Sequence, residues 1–239
     1  MKITFLAHSG FLVELEHTLL LFDWWKGELP PLPEGKPLVV FASHCHPDHF
    51  DPHIFRLDDG SRPIHFLLGK DIRPNPHRME KWGLTEETLA KCTRTGGFQQ
   101  KEPLPGVTVE TLPSTDSGVA FLVTAEGQTL YHAGDLNWWY WAGESQEWND
   151  TMERDYKQYL EPLRGRHVDL AMVPLDPRLE GGEDLGLAYY LSLTDTDRVL
   201  PMHQWEDYSP TQRFMLKYPQ WAGKLIPITG PGQIITTGG

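Results

Sequence analysis

Seven consecutive residues constrain this chain more than any other stretch: Ser43-His44-Cys45-His46-Pro47-Asp48-His49, which lie just beyond an apolar run at residues 38–41. Side chains alternate along an extended segment, so His44 and His46, two apart at a strand end, point the same way and can grip one ion together. The turn that follows aims Asp48 and His49 at a neighbouring point, within range of a second cation. A solvated histidine-rich loop has no reason to sit at the mouth of a buried strand. The segment therefore calls for a fold that carries metal-binding loops at its strand ends. Cys45, between two candidate ligands, reads as a small packed residue rather than a nucleophile.

The rest of the chain supplies such strands. Residues 3–6, 11–15 and 19–22 are short apolar runs of strand length, separated from residues 38–41 by a proline-rich loop. Residues 64–68 form a further run, and the Pro-interrupted stretch after it turns helical around residues 79–82. Residues 107–112, 119–124 and 129–131 read as a second set of strands, with Glu126-Gly127 as a tight turn. Helical spacing returns at residues 149–161, with Met152, Tyr156, Tyr159 and Leu160 on one face, and again at 185–193 and 210–216. Strands are expected at 168–173, 198–200, 225–226 and 234–235. Two strand-rich halves, each followed by helical material, predict an α/β fold: a four-layer αββα sandwich of two mixed β-sheets flanked by helices. No break in composition marks a linker, so residues 1–239 are expected to form a single domain.

Charge narrows the partners. A net charge of -12 sets up a negative field that repels phosphate backbones and anionic lipid surfaces. A small-molecule substrate is expected, with no nucleic-acid and no membrane partner. Cys45 and Cys92 are the only cysteines, too few for the disulfide framework of a small secreted domain. The first residues reach His8 and Ser9 before any long apolar stretch develops, which predicts no signal peptide and a cytoplasmic location.

The HxHxDH pattern of His44, His46, Asp48 and His49 resembles the signature of the metallo-β-lactamase superfamily, and further pieces follow in that family's order. Asp23, after residues 19–22, is similar to the strand-terminal aspartate that supports the metal loop without binding metal. Tyr131-His132-Ala133-Gly134-Asp135 resembles the element whose carboxylate bridges two metals, and Pro201-Met202-His203 the late histidine of the second metal. His8-Ser9-Gly10-Phe11-Leu12-Val13-Glu14 looks like the opening of the branch that includes ascorbate-6-phosphate lactonase-like and phospholipase D-like members. The resemblance implies a metal centre on His44, His46, Asp48, His49, Asp135 and His203. It also implies the αββα sandwich and hydrolysis of a small ester, lactone or phosphoester by a metal-activated water. Asp48 would orient that water and shuttle a proton. His8 either lines the site or bonds to backbone.

One departure affects the metal. The superfamily brings a third histidine to the first ion from a Gly-His-Thr-Pro-Gly-Ser-like segment; here the matching stretch is Pro113-Ser114-Thr115-Asp116-Ser117-Gly118, with Ser114 in the histidine's place. His44, His46 and a share of Asp135 are a thin set for zinc unless Asp116 or water fills in. The second position keeps Asp48, His49, Asp135 and His203, so it is expected to be the tighter, with one metal held on isolation. The cofactor is read as a divalent metal, zinc first, manganese or iron as alternatives, one or two ions. His132 is a reserve ligand that strand alternation turns away.

Two alternatives keep the fold: an iron-dependent oxygen or redox enzyme, and a metal-binding protein without turnover, for which Ser114 is the argument. Six of nine tryptophans follow the motif positions, among them Trp24, Trp25, Trp138, Trp139, Trp141 and Trp205. They either wall a pocket or pack the loops, with Trp138 taken as a pocket candidate. Arg178 either grips a substrate carboxylate or phosphate or pairs with Asp176.

Overall fold

Every residue of Leu38–Ala42 is buried, which requires cover on both faces of the strand, and the chain sends alternate residues to different cores. Val39 and Phe41 join one cluster, Leu38, Val40 and Ala42 the other. The same split holds for Leu19–Phe22, where Leu20 and Phe22 face one way and Leu19 and Leu21 the other. Continuous apolar runs of this kind are what a sheet inside a sandwich needs.

The structure is a computed structural model and describes residues 1–237. Its strands are β1 Lys2–Ala7, β2 Gly10–Glu14, β3 Leu19–Phe22, β4 Leu38–Ala42, β5 Ile64–Gly69 and β6 Cys92–Thr95, followed by β7 Gln100–Leu104, β8 Val107–Pro113, β9 Val119–Ala125, β10 Gln128–His132, β11 His167–Pro174, β12 Asp195–Met202 and β13 Ile234–Thr236. The helices are α1 Pro76–Trp82, α2 Glu86–Ala90, α3 Gln146–Leu160, α4 Leu185–Leu193 and α5 Ser209–Lys217. A seven-stranded sheet runs β13-β1-β2-β3-β4-β5-β6 and a six-stranded one β12-β11-β10-β9-β8-β7. Both are mixed: β3, β4, β5 and β6 pair in parallel after an antiparallel meander, and β10, β11 and β12 pair in parallel beside the antiparallel β7 to β10.

The helices cover the outer faces. Phe50, Ile54 and Phe55, with Met79 and Trp82 of α1, close the outside of the first sheet. Tyr156 and Leu160 of α3, Leu187 and Tyr190 of α4 and Phe214 of α5 join the cluster built on the second sheet. The expected αββα sandwich is the observed architecture. Between the sheets an aromatic column runs from Phe41 through Phe22 to His132, with ring centroids 4.5 and 5.1 Å apart and near-parallel planes.

Several boundaries differ from the sequence reading. Strands β6 and β7 were not expected; Cys-Thr-Arg-Thr and Gln-Lys-Glu-Pro-Leu carry no apolar alternation because both lie at sheet edges, where charge and proline are tolerated. Helix α3 starts at Gln146, three residues before Asn149, with the Ser145 side chain capping Trp148 N–H. Residues 225–226 are not a strand: Leu225 makes an isolated bridge to Val199, and Pro227, lacking an N–H, cannot extend it. Among the described residues no helix is long and apolar enough to cross a membrane.

Candidate metal centre

The metal-motif loop hangs from Asp23, at the end of β3. Asp23 is fully buried and accepts hydrogen bonds from Ser43 N–H at 2.7 Å, Ser43 Oγ–H at 2.6 Å and His49 Nδ1–H at 2.7 Å. Ser43 Oγ in turn accepts from His44 Nδ1–H at 2.9 Å. His49 and Phe50 N–H both reach His46 O at 3.0 Å, which closes the turn after Pro47. On the other side Asp176 accepts from His203 Nδ1–H at 2.8 Å and pairs with Arg178 at 2.6 Å. Each of the three buried imidazoles thus has its Nδ1 tied to an outer partner, which leaves the Nε2 lone pair free to face inward.

Those inward atoms converge. His8, Asp48, His49 and His203 form one group of possible ligands and His44, His46, Asp116 and Asp135 another, and within each group the ligand atoms lie within 4.8 Å of one another. Asp135 stands between them: its Oδ1 is 3.0 Å from His49 Nε2 and 3.4 Å from His203 Nε2, and its Oδ2 is 3.4 Å from His44 Nε2. Asp48 Oδ2 lies 3.5 Å from His8 Nε2 and 4.0 Å from His203 Nε2. The Nε2 atoms of His8, His44, His49 and His203, and Asp135 Oδ1, are buried without a hydrogen-bond partner. Buried polar atoms are almost always satisfied. Five orphans aimed at one another, imidazole nitrogens with carboxylates, fit a divalent cation.

The buried carboxylates favour positive charge at the same point. Burial alone would raise the Asp135 carboxyl, but the His49 and His203 imidazoles outweigh it and hold it well below the usual carboxylate range. Burial disfavours charge on His49, yet the carboxylates of Asp135 and Asp23 hold its pKa well above the histidine norm. Burial brings His8 down to about 4 against the pull of Asp48. For Asp176 the His203 and Arg178 hydrogen bonds overcome burial and lower the carboxyl to about 2. Backbone strain gathers at the same place: Asp23, His8 and His203 all have positive φ, at 41°, 55° and 62°.

All six residues read as ligands from the sequence come together here, and His8 and Asp116 join them. His132 does not: its Nε2–H donates to Ser9 O at 2.8 Å and its ring stacks on Phe22. Ser114 turns back on its own loop, where its Oγ accepts from Asp116 N–H at 3.1 Å. Arg178 pairs with Asp176 and also lines the pocket over the centre, its guanidinium 4.5 Å from the Trp205 ring. Trp139, Trp141, Trp148 and Trp205 line that pocket with Met152. Trp138 is not among them, a correction to the sequence reading: it packs against the core beneath Lys157 of α3, while Trp139 donates its Nε1–H to Asp135 O at 3.0 Å and takes the pocket side. Trp148 was missed; its signal was the start of α3 at Gln146. Cys45 is exposed and Cys92 half-buried, both as free thiols.

The 113–118 loop is pinned against the metal-motif loop at Gly118. A Cβ there would lie 2.0 Å from Ser43 O and 2.5 Å from His44 Cβ, at a φ of +72°. Gly118→Ala is expected to lower stability by about 2–4 kcal/mol through strain and clash together. Denaturant unfolding checks this, and an unchanged midpoint would refute the close approach.

The family model for the beta-lactamase superfamily domain matches residues 2–140. A UPF0173 metal-dependent hydrolase of Opitutus terrae is 31% identical over 151 residues, which are 56% of this chain and 63% of that relative's length. Igni18, a metallo hydrolase of the hyperthermophilic archaeon Ignicoccus hospitalis, superposes with a TM-score of 0.65 at 17% identity, covering 98% of this chain and 97% of that one. CmlA, a diiron β-hydroxylase of Streptomyces venezuelae, gives 0.67 at 12% identity over 99% of this chain and 54% of its own; these two share the fold. The matched stretch carries the Asp23 network, the 43–49 turn and Asp135, and on that ground this protein belongs to the metallo-β-lactamase superfamily.

Proposed function

We propose that the protein is a metal-dependent hydrolase of a small ester, lactone or phosphoester, with its metal centre on His44, His46, Asp48, His49, Asp135 and His203. The observation that carries this reading is the convergence of buried, unpartnered imidazole nitrogens on the Asp135 carboxylate. His44, His46, Asp48, His49, Asp135 and His203 would hold a divalent cation, which would supply Lewis acidity for activating a water and polarising a carbonyl or phosphoryl oxygen. Asp48 belongs to the donor cluster, lies 3.5 Å from His8 Nε2 and also lines the pocket. It orients the attacking water and passes a proton to the leaving group. The indoles of Trp139, Trp141, Trp148 and Trp205 give the pocket an apolar wall that suits an apolar acyl or leaving group. The charge balance and the free thiols support a cytoplasmic, small-molecule role.

Chelator-stripped protein assayed on p-nitrophenyl acetate, an acyl-homoserine lactone and bis(p-nitrophenyl) phosphate is expected to regain turnover on adding zinc or manganese. Turnover equal with and without metal would defeat the proposal. Asp48→Asn is expected to lower kcat about 10²–10⁴-fold, the usual weight of a general acid or base, and to weaken metal binding at the position it shares with His49 and His203, so turnover is compared at saturating metal. Full turnover in that variant would remove Asp48 from the role.

A donor set that mixes imidazoles with carboxylates supports a second reading, iron-dependent oxygen or redox chemistry. Oxygen uptake by the iron(II)-loaded protein, without hydrolysis of the three substrates, would favour it.

A further inference from the structure

The 113–118 loop is built to present Asp116. Thr115 Oγ1–H donates to Asn137 O at 2.6 Å and its oxygen accepts from Asn137 N–H at 3.1 Å, which clamps the loop to the segment just after Asp135. Ser114 N–H donates to Gly118 O at 3.4 Å, Val119 N–H donates to Ser43 O at 3.1 Å, and Gly118 leaves no room for a Cβ against Ser43 and His44. Between those two anchors the Ser114 hydroxyl holds Asp116 N–H, and Asp116 Oδ2 comes to 3.5 Å from His46 Nδ1. A carboxylate is shorter than an imidazole, so it reaches the same point from a different position of the loop. Independently, His44 Nε2 is fully buried, unpartnered and directed into this same group.

We propose that Asp116 supplies the ligand that Ser114 cannot, making the first metal position a set of two imidazoles, His44 and His46, and two carboxylates, Asp116 and the shared Asp135. Exchanging an imidazole for a carboxylate moves a site toward harder ions. This position therefore discriminates less against manganese(II) and iron(II) than a three-histidine position does. It is also the weaker of the two, because the Asp116 and His46 side chains are 46% and 45% exposed, against 0% and 3% for His49 and His203 at the other position. Water competes there, and ordering two mobile side chains costs entropy. The inference rests on the metal-centre reading above and extends it to a residue outside the six ligands.

The test is equilibrium dialysis of chelator-stripped protein against manganese(II) alone and zinc(II) alone, with metal per chain read by mass spectrometry. Wild type is expected to take up two manganese ions, one tightly and one weakly. Asp116→Ala and Asp116→Asn are expected to lose the weak equivalent and keep the tight one. The double variant S114H/D116A is expected to regain a second equivalent with zinc, with the zinc-to-manganese preference at that position raised about tenfold or more. Two manganese ions bound with unchanged affinity in both Asp116 variants would overturn the assignment, as would saturation of wild type at one ion. A wild type that takes no metal would overturn the metal-centre reading as well, so the two failures are distinguishable. Thermal melting of each variant establishes that it is folded, and the Asn variant preserves the side-chain shape should the Ala variant be lost.

Discussion

Asp135→Asn is expected to lose both metal positions and with them essentially all turnover, about a thousandfold or more, since several kcal/mol of transition-state stabilisation go with the ion. The reason is geometric. One carboxylate reaches both groups, with Oδ1 at 3.0 Å from His49 Nε2 and Oδ2 at 3.4 Å from His44 Nε2. An amide keeps the shape but halves the donor oxygens and removes the negative charge. Metal content and kcat on the same sample check this together. An Asn variant that keeps two ions at wild-type affinity would show that Asp135 does not bridge.

The second large effect is expected at a residue outside the ligand set. Asp23→Ala would strand Ser43 N–H, Ser43 Oγ–H and His49 Nδ1–H in a fully buried place. Breaking a buried charged network of this kind costs about 3–5 kcal/mol, which for a chain of this size lowers Tm by roughly 10 °C. The same change frees the His49 ring to rotate and choose the wrong tautomer, so metal affinity should fall about 10–100-fold. Calorimetry and a metal titration separate the two effects. A melting point within about 2 °C of wild type would mean that Asp23 does not carry the loop.

The site was legible to different depths. His44, His46, Asp48 and His49 could be read as a unit because their spacing within one strand end decides their directions. Asp135 and His203 could be placed only through the family resemblance, because the strands they follow lie in the other sheet from the strand that leads into the 43–49 turn. His8 stayed open: its pocket-ward turn depends on a positive φ of 55° and on the bond from His203 N–H to its carbonyl, a partner far along the chain. Trp138 and Trp139 are neighbours of identical chemistry, and only the packing of α3 chooses which one lines the pocket. Residues 92–95 and 100–104 became strands without an apolar pattern because sheet edges require none.

From its sequence alone the chain determines the alternation of its strands between two cores, and hence a sandwich, together with the local geometry of one metal-binding turn. Tertiary structure decides the rest: that Asp135 lies between the two groups of imidazoles, that Asp116 stands beside His46 while Ser114 turns away, and that Arg178 both holds Asp176 and faces the pocket. The physical cause is distance along the chain. Periodicity and turn chemistry act over a few residues and are written in them, whereas a ligand set closes only when loops more than a hundred residues apart are brought within bonding range by a common core.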